Sequence, residues 1–121
     1  MPAEDQPAIT VGARYPVGQR RIRLSDRVAR ILLQCRPILI DVATHGEVIT
    51  YGELSEAIDG AVLPRHMGPL LHMIAHDCAA RGEPSLAALV VRAGTWEVGT
   101  ADTSWAAPER RACWEHWGSG E

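Results

Sequence analysis

His72 and His76 are the first pair in this chain whose spacing could do chemistry, because residues four apart share a helix face and can hold a metal between them. A structural zinc needs four ligands and a catalytic zinc three, and Asp77 points elsewhere on the same helix, so the pattern supplies no third ligand. Two surface histidines, lining a contact face with Arg65, are the better account, and neither a metal nor a cofactor is expected. Cys35, Cys78 and Cys113 are odd in number, far apart and without a CxxC, which suits buried, reduced thiols in a cytoplasmic protein. No GxSxG, P-loop, HExxH or paired-carboxylate motif is present, and the chain reads as non-catalytic.

Charge narrows the remaining chemistry to binding. All twelve basic residues are arginines. Residues 14–36 hold seven of them against one acid, Asp26, whereas residues 37–64 hold five acids and no base. The basic segment is either a phosphate-contacting patch or a solvated face whose arginines pair with the acidic stretch. The net charge of −3 argues against a strong, non-specific nucleic-acid binder. No apolar run approaches the ~18 residues of a membrane span, so no membrane partner is expected. The first ten residues carry acids at Glu4 and Asp5 and no apolar core, which argues against a secretory signal.

A chain of 121 residues fits one domain, and the elements that must position these residues can be read in order. Residues 1–22 have no helical period and are expected to form an irregular N-terminal arm, with a short edge strand at 9–11. Ser25 caps a long helix whose stripe is Val28, Ile31, Leu32, Cys35, Ile38, Leu39 and Val42, with Pro37 on the solvent side and Gly46 closing it. Thr50 and Glu53 form a capping box that opens a second helix, burying Leu54, Ala57 and Ile58 and ending at Asp59–Gly60. A third helix over 66–81 buries Met67, Leu71, Ile74 and Cys78 and turns Arg65, Gly68, Pro69, His72 and His76 outward. Residues 86–99 read as a β-hairpin with its turn at Ala93–Gly94. A last helix ending at Trp117 packs Trp105, Cys113 and Trp117 on the body and leaves Trp114 for a partner.

Helix, capped short helix, third helix and hairpin is the order of a winged-helix unit. The expected class is therefore α+β, mainly helical, with a winged-helix-like domain over 23–121. The segment Gly46-Glu47-Val48-Ile49-Thr50-Tyr51-Gly52-Glu53-Leu54 closely resembles the one that opens the DNA-binding half of alkylguanine DNA alkyltransferases and alkyltransferase-like proteins. Arg65-His66-Met67-Gly68 matches that family's Arg-x-x-Gly at the start of its recognition helix, at the family's usual separation from Tyr51. The resemblance covers roughly residues 28–99 and is specific over 46–54. It implies that Tyr51 presses a DNA phosphate and that Arg65 fills the space of a flipped base.

One departure decides the enzymology. The family's Pro-Cys-His-Arg centre is missing: aligning from Pro84 puts Ser85 at the nucleophile, and aligning back from Val90-Val91 puts Ala87 there. Neither supplies a thiol, and no histidine follows to activate one, so alkyl transfer is excluded. Two functions remain. The first is a non-catalytic DNA-binding module using Tyr51, Arg65, Gly68, His72 and His76 on the third helix, with the hairpin beside it. The second is a protein-interaction module, an inhibitor, adaptor or self-associating subunit, for which a homodimer is the simplest form. Nothing in either requires a small-molecule cofactor.

Overall fold

The computed structural model describes residues 6–100 and 103–118. The first five positions of the expected arm lie outside the described residues. The fold is α+β and mainly helical, with four α-helices, an antiparallel two-stranded ribbon and a two-residue parallel strand pair among the described residues. Among the described residues no helix is long and apolar enough to cross a membrane.

The arm is not irregular. β1 (Arg14–Val17) pairs antiparallel with β2 (Arg20–Arg23), and Gly18 makes the tight turn at φ +63°. The cause is alternation: Tyr15, Val17 and Ile22 pack against the core while Arg14, Arg21 and Arg23 face out. The expected edge strand at 9–11 is absent, because Ile9 is buried in the core. The boundary expected at 22/23 therefore cuts through β2.

α1 (Asp26–Thr44) begins where Ser25 Oγ accepts a 3.1 Å hydrogen bond from Val28 N, and Gly46 at φ +65° follows its end. Pro37 lies on its exposed side within the helix. β3 (Ile49–Thr50) leads directly into α2 (Tyr51–Ala57), which buries Leu54 and Ser55 but leaves Ala57 exposed, contrary to the pattern. A 3-10 turn at Pro64–His66 delivers the chain into α3 (Met67–Arg81). That helix buries more than the expected stripe, adding Leu70, Met73 and Asp77 to Met67, Leu71, Ile74 and Cys78. Asp77 is fully buried because its carboxylate accepts from Arg81 Nε at 2.8 Å and from Ala8 N at 2.6 Å.

The hairpin expected at 86–99 does not form as a ladder. Leu86–Leu89 is a buried 3-10 turn, and β4 (Val90–Val91) pairs in parallel with β3, Ile49 opposite Val90 and Thr50 opposite Val91. The return segment keeps only a tight loop, closed by Arg92 N donating to Glu97 O and Trp96 N donating to Arg92 O, both at 2.8 Å. The physical reason lies in α4 (Ala106–Gly118). Its side chains take the backbone partners that a second strand would have supplied. Glu109 accepts from Ser85 N at 2.7 Å, Arg110 Nε donates to Ala88 O at 3.0 Å, and Cys113 Sγ donates to Ser85 O at 3.2 Å. Trp105 precedes this helix and is exposed rather than packed in the core, whereas Cys113 is buried and Trp117 half-buried. Trp114, expected to be left for a partner, is half-buried and donates from its indole to Glu47 O at 3.0 Å.

All three cysteines are buried and unpaired, as their spacing implies. Burial pushes the thiols of Cys35 and Cys113 up to about 12 and raises that of Cys78, which favours the protonated thiol in each.

The body is tied together by Arg36 on α1, whose guanidinium is 4% exposed and grips Glu83 with two bonds of 2.8 and 3.0 Å. Trp117 of α4 covers it, with the guanidinium 5.6 Å from the ring centre. Glu83→Ala would leave a buried cation without this carboxylate and is expected to cost about 3–5 kcal/mol. Chemical denaturation of the variant measures this, and a loss below about 1 kcal/mol would mean that the pair is solvated.

Candidate functional site

The local rule that places Tyr51 is the capping box. Thr50 Oγ1 accepts from Glu53 N at 3.1 Å, and Glu53 Oε1 accepts from Thr50 N at 2.9 Å, so α2 can start only at Tyr51. Thr50 is at the same time the last residue of β3, opposite Val91. Tyr51 is therefore held beside the chain that enters β4, and its ring is half-buried. Its hydroxyl abuts Gly99, where a side chain would collide with it.

α3 supplies the facing wall. Gly68 stands in its first turn with open space where a side chain would be, and His72 follows one turn later. Between the two walls lies a cleft of about 630 Å³. Leu71, Ala75, Ala87 and Val90 make its surface largely apolar, and Val98, Gly99, Thr100 and Trp105 close the far side. Ser85 also lines it, and the Ser85 hydroxyl is buried without a hydrogen-bond partner. No lining residue is a cysteine.

Of the five residues expected to share a surface, Tyr51, Gly68 and His72 meet in this cleft. Arg65 does not line it. It is exposed on the 3-10 turn ahead of α3, beside His66, which borders a second pocket of about 250 Å³ on the other side of the helix end. His76 does not line the cleft either: its Nε2 meets Pro16 O at 2.7 Å and its half-buried ring packs 5.6 Å from that of Tyr15, so it faces the β1–β2 ribbon. Nor do the two histidines gain a third donor, since no group of three His, Cys, Asp or Glu among the described residues is placed to hold a metal ion.

Two parts of the cleft went unread in the sequence. One is Gly18 at the tip of the β1–β2 ribbon, whose signal was present in the alternation of Tyr15, Val17 and Ile22 around Gly18-Gln19. The other is the wall made by Val98, Gly99, Thr100 and Trp105, which has no periodicity to betray it. The loop leading to that wall carries Trp96 at φ +61° and 58% exposed, a left-handed backbone that a bulky residue rarely adopts.

No family model, curated protein or solved structure matches this chain.

Burial of the ring, then the neighbouring His76, hold His72 below its ordinary value of 6.5. The ring is neutral at pH 7 and offers one donor and one acceptor to the cleft. The unfolded chain takes up this proton first, so His72 contributes stability that is present above about pH 6.5 and is lost as pH falls toward the depressed folded value. An NMR titration of the imidazole protons should place the His72 midpoint below 6.5 and that of His45, raised by its bond to the Asp41 carbonyl and then by the Asp41 charge, above it. A His72 midpoint at or above 6.5 would contradict the burial of this wall.

Proposed function

We propose that this chain is a non-catalytic DNA-binding module, similar to the alkyltransferase-like proteins, in which α2 and α3 act as a winged-helix-like helix-turn-helix. A strand is seated on the N-terminal end of α3, and the cleft beside Tyr51 receives a base turned out of the stack. The loop after β4 takes the place of the wing. The observation that carries this reading is where the missing centre falls: Ser85 and Ala87, the two candidates for the nucleophile position, both line the cleft together with Tyr51 and Gly68. The cleft's apolar surface suits the face of a base, and Ser85, His72 and Tyr51 offer polar groups for its edge. The start of α3 offers few backbone donors, since the Met67 N–H is bonded to Pro64 O and Pro69 has none, so the phosphate contact falls to Arg65, which stands exposed on the turn before it. With no thiol in the cleft and the three cysteines held protonated by burial, the module recognises without reacting.

The decisive substitution is Gly68→Leu. The space at Gly68 is open and leucine is the better helix former by about 0.8 kcal/mol, so the variant should fold at least as stably as the parent. Its side chain would stand in the cleft and between the helix and a strand. Binding to short duplexes with and without an unpaired or modified base should fall about tenfold or more, some 1.4 kcal/mol. Arg65→Ala should weaken binding more than Arg111→Ala, on exposed α4, does. Arg65→Lys should fail too if Arg65 fills a vacated base position, and should bind nearly as well if it meets only phosphate. Absence of any duplex binding by the parent at low salt would overturn the DNA reading. The protein-interaction reading would then take its place, on the strength of the exposed apolar side chains of Trp96 and Leu63.

A further inference from the structure

Seven arginines lie between residues 14 and 36, and among the described residues only Arg36 pairs with a carboxylate. Arg14, Arg20, Arg21, Arg23, Arg27 and Arg30 are all exposed, and none forms an ion pair with a carboxylate among the described residues. The acidic stretch at 37–64 therefore does not neutralise them. The ribbon even sets like charges together: Arg14 lies directly opposite Arg23, and Arg21, opposite Pro16, shares their outward face. Directly opposed like charges weaken a strand pair, so this arrangement is not one that folding favours.

The ribbon is nonetheless firmly seated. Its inward face packs Tyr15, Val17 and Ile22 on the core, and Pro16 O and Tyr15 hold His76 of α3. Its tip, Gly18, lines the cleft with Gly68 and His72. Its other end, with Arg27 of α1, borders the second pocket: Arg23 and Arg27 face His66 and Pro69 at the start of α3. The ribbon thus runs along the exposed edge of α3, from the neighbourhood of Arg65 to the mouth of the cleft.

We infer that the β1–β2 ribbon is a phosphate-backbone clamp: Arg14, Arg21 and Arg23, on its outward face, grip the phosphodiester chain flanking the nucleotide held at the cleft. Residues two apart on one strand, such as Arg21 and Arg23, are separated by about 6.8 Å, the order of the step between successive phosphates along a nucleic-acid strand. Guanidinium forks onto phosphate oxygens, and the unneutralised cluster gains the counter-charge that the fold does not give it. The inference rests on the DNA reading above and adds a second contact surface outside residues 28–99.

The test is the triple variant Arg14→Gln, Arg21→Gln, Arg23→Gln in the full chain, titrated with a short DNA duplex carrying one unpaired base at several salt concentrations. Each phosphate contact contributes about 0.9 to the slope of log affinity against log salt, so the slope should fall by about 2 to 3 units. Affinity at ~0.1 M salt, where charges screen over about 10 Å, should drop tenfold or more. The preference for the unpaired base over the intact duplex should stay as in the parent, because the cleft is untouched. Far-UV circular dichroism should show an unchanged or raised Tm as like-charge repulsion is relieved. The matching triple lysine variant, which keeps the charge, should retain most of the slope, and Arg111→Gln should leave it unchanged. If the parent binds DNA and the glutamine variant keeps the parent's slope and affinity, the clamp is wrong while the DNA reading stands. If the lysine variant loses the slope as fully as the glutamine variant, backbone contact is also wrong. A parent that binds no duplex at low salt removes the DNA reading itself, and the clamp with it.

Discussion

The site hangs on a strand pair only two residues long. β3 and β4 meet in parallel, with Ile49, Thr50, Val90 and Val91 all buried. Parallel pairs persist where both faces are covered, and a pair this short has almost no cooperativity of its own. Here it is sandwiched in the core and locked at one end by the Thr50–Glu53 capping box. That lock gives one residue two duties: Thr50 ends the strand and caps the helix. A register slip of one residue would turn every side chain of β4 to its other face and carry Ala87 and Val90 away from Tyr51. The cleft exists because the slip is forbidden from both sides.

A second constraint keeps the helices around that pair. Arg36, Glu83 and Trp117 come from α1, the turn after α3, and α4, and they meet in a space from which water is nearly excluded. A buried ion pair is a poor source of net stability but a severe penalty on any arrangement that separates its partners. Asp77 acts likewise at the other side of α3, where Arg81 and the Ala8 amide are its partners. These polar ties select one packing among the many that an apolar core of Leu, Ile and Ala would tolerate.

The sequence made the long helices and their caps legible because their signals are local. Ser25 and Thr50 with Glu53 each act within one turn of chain, and the structure places both where the pattern does. Residues 86–99 were misread because a run such as Leu86-Ala87-Ala88-Leu89 announces burial without announcing shape. Arg110 takes its Ala88 carbonyl, and Glu109 and Cys113 take both backbone groups of Ser85 just before it, from some twenty-five residues away, so no window along the chain contains both. The surroundings of His76 were hidden for the same reason: helical rotation turns it outward, but the carbonyl it meets there, that of Pro16, is sixty residues earlier. The ribbon itself was readable, yet Pro16 and Gly18 among arginines invite a loop assignment until the alternation of Tyr15, Val17 and Ile22 is counted.

Charge and apolar surface are sorted in this molecule rather than mixed. The cleft is walled mostly by aliphatic carbon and a histidine held neutral, while the cations stand on the ribbon and the helix end that border it. The net charge of −3 obscures this arrangement, since the acids of residues 37–64 sit on the second half of α1, the link after it and α2, and form no ion pair with the ribbon among the described residues. Exposed charges are screened over about 10 Å at 0.1 M salt, so an approaching polyanion responds to the local edge and not to the whole-chain sum. A neutral, partly dry cleft also makes its few polar groups more selective, because a ligand that leaves the Ser85 hydroxyl or the His72 ring unmatched forgoes hydrogen bonds that water would otherwise supply. On the proposed reading, attraction and discrimination fall to different residues, and either can change in sequence without dismantling the other.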